Sequence, residues 1–145
     1  MKIITLIILL LSTPAFAVDI HLLVKETDIE KWGIKLTAKR WEHLPCSTYN
    51  ISFPQTNKNS ELAQPFSFSQ FILWDGPPDP YEIAKSSFRI PLATIQQGEE
   101  VYIWDICISD KDKNSAYISI SYTFGKKHPP TVIFIKMNSA NEIQS

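Results

Sequence analysis

The sequence predicts an all-β fold, a single antiparallel sandwich of about eight strands. Three observations lead there. Apolar residues recur at every second position in one segment after another, as they do where a strand buries one face and wets the other. No segment carries the 3.6-residue apolar period over more than about one turn. Ten prolines, two pairs of them adjacent at Pro77-Pro78 and Pro129-Pro130, punctuate the chain and end strands early.

In chain order, the first segment is not part of that fold. Met1-Lys2 is a basic start, residues 3–11 are apolar except for Thr5, and Ala15-Phe16-Ala17 supplies small residues after Pro14. This order is that of a secretory signal peptide over residues 1–17, cleaved to leave Val18 first, with a periplasmic or secreted product. The apolar run is too short for a hydrocarbon core of ~30 Å at ~1.5 Å per residue. No cysteine follows the cleavage point to take a lipid, and no second stretch reaches spanning length. In an oxidising compartment the two cysteines, Cys46 and Cys107, are expected to form a disulfide; there is no C-x-x-C redox spacing.

The body of the fold is expected over residues 18–137. Alternation marks strands at 20–25, 34–41, 48–53, 66–74, 87–92, 101–108, 115–124 and 131–137. In 66–74 the apolar positions change phase between Phe68 and Phe71, which predicts a bulge. The 101–108 run is apolar on both faces and reads as a central strand covered on both sides. The 115–124 run places Ser115, Ser119, Ser121 and Thr123 on one face, which reads as a half-buried strand with a wet side. Single helical turns are expected at 27–32, capped by Thr27 with Glu30 as its box partner, and at 94–97 before Gly98. Residues 55–64 read as a polar surface loop and 138–145 as a flexible tail.

Composition excludes several functions. Lys+Arg 14 against Asp+Glu 15 gives a net charge of −1, with no basic stripe for nucleic acid. Four glycines and no G-x-G or GK[ST] string leave no phosphate-cradling loop. His21, His43 and His128 lie far apart, and neither a G-x-S-x-G elbow nor H-E-x-x-H occurs, so a hydrolase is the least favoured reading. Asp105, beside Trp104, is the one strand carboxylate suited to glycosidase work, and it has no evident partner.

Four acids concentrate in two loops. Asp75 and Asp79 flank Gly76-Pro77-Pro78, and Asp110 and Asp112 alternate with Lys111 and Lys113. Carboxylates converging from two loops at one end of a sandwich would supply the oxygen ligands calcium needs. Turns use the same letters for backbone reasons alone, so both readings stand. Trp74 and Tyr81 flank the first loop as binding residues; the alternative for Trp74 is a cap on the core. Asn50-Ile51-Ser52 matches a glycosylation acceptor, meaningful only in a eukaryotic secretory host.

Across about residues 74–122 the chain resembles the C-two domain, a calcium- and lipid-binding β-sandwich. The likeness is carried by Asp75-Gly76-Pro77-Pro78-Asp79-Pro80-Tyr81-Glu82-Ile83, similar to that domain's first calcium loop, and by residues 98–104 leading to Asp110-Lys111-Asp112-Lys113, similar to its third. The resemblance implies an eight-stranded antiparallel sandwich with Asp75, Asp79, Asp110 and Asp112 as calcium ligands. The expectation is therefore an exported, non-catalytic binding module whose acidic loops take calcium or a membrane surface. The alternative is a small periplasmic or secreted protein-binding factor, of the inhibitor or immunity type, with no metal.

Overall fold

The computed structural model describes residues 19–59, 63–126, 128–140 and 142–144. The expected signal peptide and the Val18 start lie outside the described residues. Two sheets pack face to face, and all eight expected strands are present. In chain order the strands are β1 (Ile20–Val24), β2 (Lys35–Arg40), β3 (Cys46–Pro54), β4 (Thr56–Asn57) and β5 (Gln64–Leu73). After the short helix α1 (Pro80–Ala84) come β6 (Arg89–Pro91), β7 (Ile95–Gln97), β8 (Glu100–Ser109), β9 (Ala116–Tyr122), β10 (Thr131–Lys136) and β11 (Glu142–Gln144).

The first sheet runs β1-β10-β9-β5, with β4 and β6 sharing the outer edge of β5 at its two ends; the second runs β11-β2-β3-β8-β7. Pairing is antiparallel except at two places, where β1 lies parallel to β10 and β11 parallel to β2. The expected antiparallel sandwich is present, and the two parallel pairs have a topological reason. Both ends of the chain cross from the first sheet to the second, one after β1 and the other after β10, and they cross side by side in the same direction. The N-terminal crossing is made of two 3-10 turns, Glu26–Asp28 and Glu30–Trp32. The expected cap at Thr27 is not used: the first turn opens after Lys25 with no side-chain cap bond. The second closes on Gly33 at φ 66, where a Cβ would also strike Pro54.

The core between the sheets is built from inward residues of both, among them Ile51, Phe53, Val101 and Ile103 facing Ile118, Ile120, Ile133 and Ile135. Phe53 and Phe66 meet at 5.2 Å, and the Tyr122 hydroxyl donates to the Pro54 carbonyl at 2.8 Å, tying one sheet to the other. Burial in that core pushes the Tyr122 hydroxyl pKa upward.

A second, smaller cluster lies on the opposite face of the six-stranded sheet. There Ile83 of α1 packs with Ile72, Tyr117 and Phe134, flanked by Leu23 and Trp74. A five-residue helix has no stability of its own. It is held by that packing and by its start, where Asp79 accepts from the Tyr81 and Glu82 amides at 2.9 and 3.0 Å with Pro80 in the first turn.

Two expectations are reversed. Every residue of β9 is buried, including Ser119 at 2% and Ser121 at 1% exposure, so its serine face is not wet. Conversely β8 is the half-wet strand: Trp104 is 54% exposed and its outer face meets solvent. Other differences are local. The 94–97 segment is strand β7, not a helical turn. Within 55–64, Asn57 and Gln64 are buried as part of the β4–β5 pairing. The β5 irregularity falls between Phe66 and Phe68, one step earlier than the composition indicates. Residues 142–144 of the expected tail add a strand to β2.

Cys46 and Cys107 are bonded, Cα–Cα 5.6 Å, across the β3–β8 ladder, where Cys46 pairs with Ser109 and Cys107 with Thr48. The bond is diagonal within one sheet and does not join the two. A closed loop of 61 positions stabilises by about 4 kcal/mol on the chain-entropy account. Reduction, or Cys46→Ser with Cys107→Ser, is expected to lower the melting temperature by roughly 10–20 °C, read by circular dichroism with and without reductant.

Candidate functional site

The outer face of the five-stranded sheet carries an aromatic pair raised above its surroundings. Alternation with the inward Val101 and Ile103 puts Tyr102 and Trp104 on that face, and a bulge follows at once. Along β8, Val101 and Ile103 point into the core. The ladder to β3 then shifts register: Ile51 pairs with Ile103, and Tyr49 pairs with Ile106. Asn50 therefore faces two residues, Trp104 and Asp105, where one would be regular. Asp105 takes up the extra residue at φ 57, a left-handed conformation that aspartate tolerates better than most side chains. Its amide donates to the Asn50 side-chain oxygen at 2.8 Å, so the amide at the bulge is paired. The acceptor asparagine of the glycosylation pattern is thus engaged inside a strand.

Trp104 stands on the outer side of this bulge and stacks on Tyr102, centroids 5.5 Å apart and planes 14° from parallel. The Tyr102 hydroxyl donates to one Glu100 oxygen at 2.6 Å, and the Lys35 ammonium donates to the other at 2.8 Å. Lys35, Glu100, Tyr102 and Trp104 thus form one connected row over β2 and β8. The Lys35 hydrogen bond, seconded by Tyr102, draws the Glu100 carboxyl below its ordinary value, while Lys35 and Tyr102 are both raised by bonding to Glu100. Beside the stack lies a cleft of about 200 Å³, with Thr37, Asn50 and Ser52 on its floor.

One edge of the same strand is open. Strand β7 pairs with β8 only at Glu100, Val101 and Tyr102. From Ile103 onward, among the described residues, no strand adjoins β8 on the side away from β3.

The residues singled out by sequence lie elsewhere, at one end of the sandwich. The two acidic loops do come together there: Trp74 donates its amide to the Ser115 carbonyl at 2.8 Å, and the Ser115 hydroxyl bonds to the Asp75 carboxylate. Each acid has a protein partner. Asp79 caps α1, Asp110 forms a two-pronged pair with Arg40 at 2.9 and 3.0 Å, and Asp112 accepts from the Ser109 hydroxyl at 2.6 Å. Among the described residues, no group of three or more His, Cys, Asp or Glu side chains is arranged to hold a metal ion.

Trp74 is engaged as a cap: its indole donates to the Pro77 carbonyl at 2.9 Å, packs on the outer cluster and covers Gly76 so closely that a Cβ there would collide. Tyr81 is half exposed, edge-on to His21 at 5.1 Å. Sequence reasoning placed Trp104 inside a covered strand and so missed it; the signal was Asp105, an acid in the middle of a dense apolar run. No family model, curated protein or solved structure matches the chain, so the C-two resemblance rests on its own residues.

Two predictions follow from this geometry. Asn50→Ala hands the exposed Asp105 amide to water and is expected to cost ~0.5–1 kcal/mol and alter the near-ultraviolet dichroism of Trp104, whereas Asp105→Gly relieves the left-handed backbone and is expected to be neutral or stabilising. Glu100, with its folded pKa depressed below 4.5, contributes stability that is full above that value and lost as pH falls through the folded pKa. Melting temperatures from neutral pH down to about pH 3 are expected to fall less in Glu100→Gln than in the parent.

Proposed function

We propose that this protein is an exported, non-catalytic binding module that holds a protein partner on the outer face of its five-stranded sheet, with Trp104 at the centre. One observation carries the reading: a tryptophan left 54% exposed in a sheet, propped by the Tyr102 stack and by the Asn50-closed bulge. An exposed tryptophan held in one position contributes contact area without the entropy cost of ordering it on binding. Such residues dominate the energetics of protein interfaces. The adjoining cleft has room for one partner side chain, and the open edge of β8 has backbone groups available to an added strand.

Export is supported by the composition of residues 1–17 and by the disulfide. Among the described residues no helix is long and apolar enough to cross a membrane.

The second reading, acidic loops that take calcium or a membrane surface, is favoured by one fact: the two loops meet at the same end through Asp75 and Ser115. Against it, Asp79, Asp110 and Asp112 would each give up a protein hydrogen bond or ion pair to reach an ion.

The test uses the oxidised protein immobilised against an extract of its native compartment, with bound species identified and their affinities measured. Trp104→Ala is expected to weaken the retained partner about 30-fold or more while leaving the melting temperature within a few degrees. Asp110→Ala with Asp112→Ala, or chelation, is expected to leave binding intact. Unchanged affinity in Trp104→Ala overturns the reading. A calcium-dependent rise in melting temperature, lost in the double aspartate variant, moves the working surface to the acidic loops.

A further inference from the structure

The outer face of the six-stranded sheet holds a second candidate, independent of Trp104. Register places two neighbouring rows on it: His21, Val132, Ser121 and Phe68, then Leu23, Phe134, Ser119 and Gln70. The helix α1 is five residues long, and its Ile83 covers only the end of this face, over Ile72, Tyr117 and Phe134. Where the helix stops, the rows form the floor of a cavity of about 180 Å³, with Phe68 and Arg89 on its walls.

The chemistry of this cavity is unfinished. Ser121 is 1% exposed, and its hydroxyl has no hydrogen-bond partner; the Nδ1 atom of His21 is likewise buried and unpartnered. A polar atom enclosed without a partner is costly, so such groups are met by water or by a ligand. The His21 ring is held edge-on by Tyr81 at 5.1 Å and Phe134 at 5.9 Å, with Nε2 lying 3.8 Å from the Asp19 carboxylate. Arg89 is fixed by its Nε donating to the Ser86 carbonyl at 2.7 Å.

His21 and Ser121 are separated by the whole of β10, two strand spacings or about 9.5 Å, too far for a nucleophile and its base. The arrangement is suited to holding a ligand, not to acyl transfer. We infer that this cavity binds a small polyhydroxylated molecule, about the size of one pyranose unit. The volume equals roughly six waters at ~30 Å³ each. Ser121, Gln70 and Arg89 donate to hydroxyl groups, the Asp19 carboxylate accepts from them, and the imidazole Nδ1 of His21 can pair with a hydroxyl as donor or acceptor. Phe68, 48% exposed at the mouth, has a flat apolar face for the C–H side of a sugar ring. A purely apolar guest would leave Ser121 and His21 unpaired, and one carboxylate is too few for a metal.

The test is amide-shift titration of the oxidised protein with millimolar methyl glycosides of glucose, galactose, mannose and N-acetylglucosamine. At least one is expected to give saturable shifts at Ser121, His21 and Arg89. Ser121→Ala removes an unpaired hydroxyl, so it is expected to melt at the same or a higher temperature while binding at least about tenfold more weakly. Gln70→Ala is expected to weaken binding similarly, and Lys111→Ala, on a distant loop, to change nothing. No saturable shift with any of the four, shifts centred on another face, or full affinity in both Ser121→Ala and Gln70→Ala overturns the inference.

Discussion

Ile83, fully buried between α1 and the outer face of the six-stranded sheet, is the contact that fixes the helix over one end of that face. Burying a side chain of this kind stabilises by about 1.5–3 kcal/mol, and Ile72, Tyr117 and Phe134 gain their burial from the same contact. The helix that delivers Ile83 is short, and its start depends on Asp79 accepting two amide protons and on Pro80 entering the first turn. The Asp-Pro-Tyr sequence is therefore used to fasten a lid onto a sheet. The helix covers one end of that outer face, while β8 of the other sheet turns Trp104 to solvent.

That asymmetry places both proposed sites. The five-stranded sheet can expose Trp104 because no described element packs on its outer side there, and the bulge at Asp105 turns the following Ile106 and Ile108 back toward the core. The six-stranded sheet carries a cavity because α1 covers only part of a face whose remaining residues include two buried serines. A longer helix would have closed the cavity.

How much of this was legible follows from where each signal resides. Alternation is local, so all eight strands it marked are present. Which face of a strand is wet is not local: Ser119 and Ser121 look like solvent-facing residues, yet both are buried between Val132 and Phe134 of β10 and Phe68 and Gln70 of β5, neighbours that only the sheet order reveals. Strands β7 and β11 are three residues each and exist only because a neighbouring edge pairs with them, so no periodicity could announce them. The disulfide was legible through the chemistry of the compartment. Trp104 was hidden because a bulge inverts the phase of β8 midway, and a reading of constant phase assigned the ring to a covered face. Asp105 in the sequence and Asn50 on the facing strand are the trace that inversion leaves.

The disulfide matters most to the part of β8 that carries Trp104. At Glu100–Tyr102 the strand lies between β3 and β7, but beyond Ile103 only β3 adjoins it among the described residues. A strand paired on one side and interrupted by a bulge opens more readily than one paired on both. Cys107 follows Asp105 by two positions, and its bond to Cys46 fixes the ladder just past the irregularity. On the near side, the Lys35–Glu100–Tyr102 row fixes the strand before it. The ring at Trp104 is thus held between a covalent clamp and a charged one. The covalent clamp forms only where thiols are oxidised, so the stiffness of this aromatic surface depends on that bond: the open-edged strand is rigid because it is pinned on both sides of its bulge.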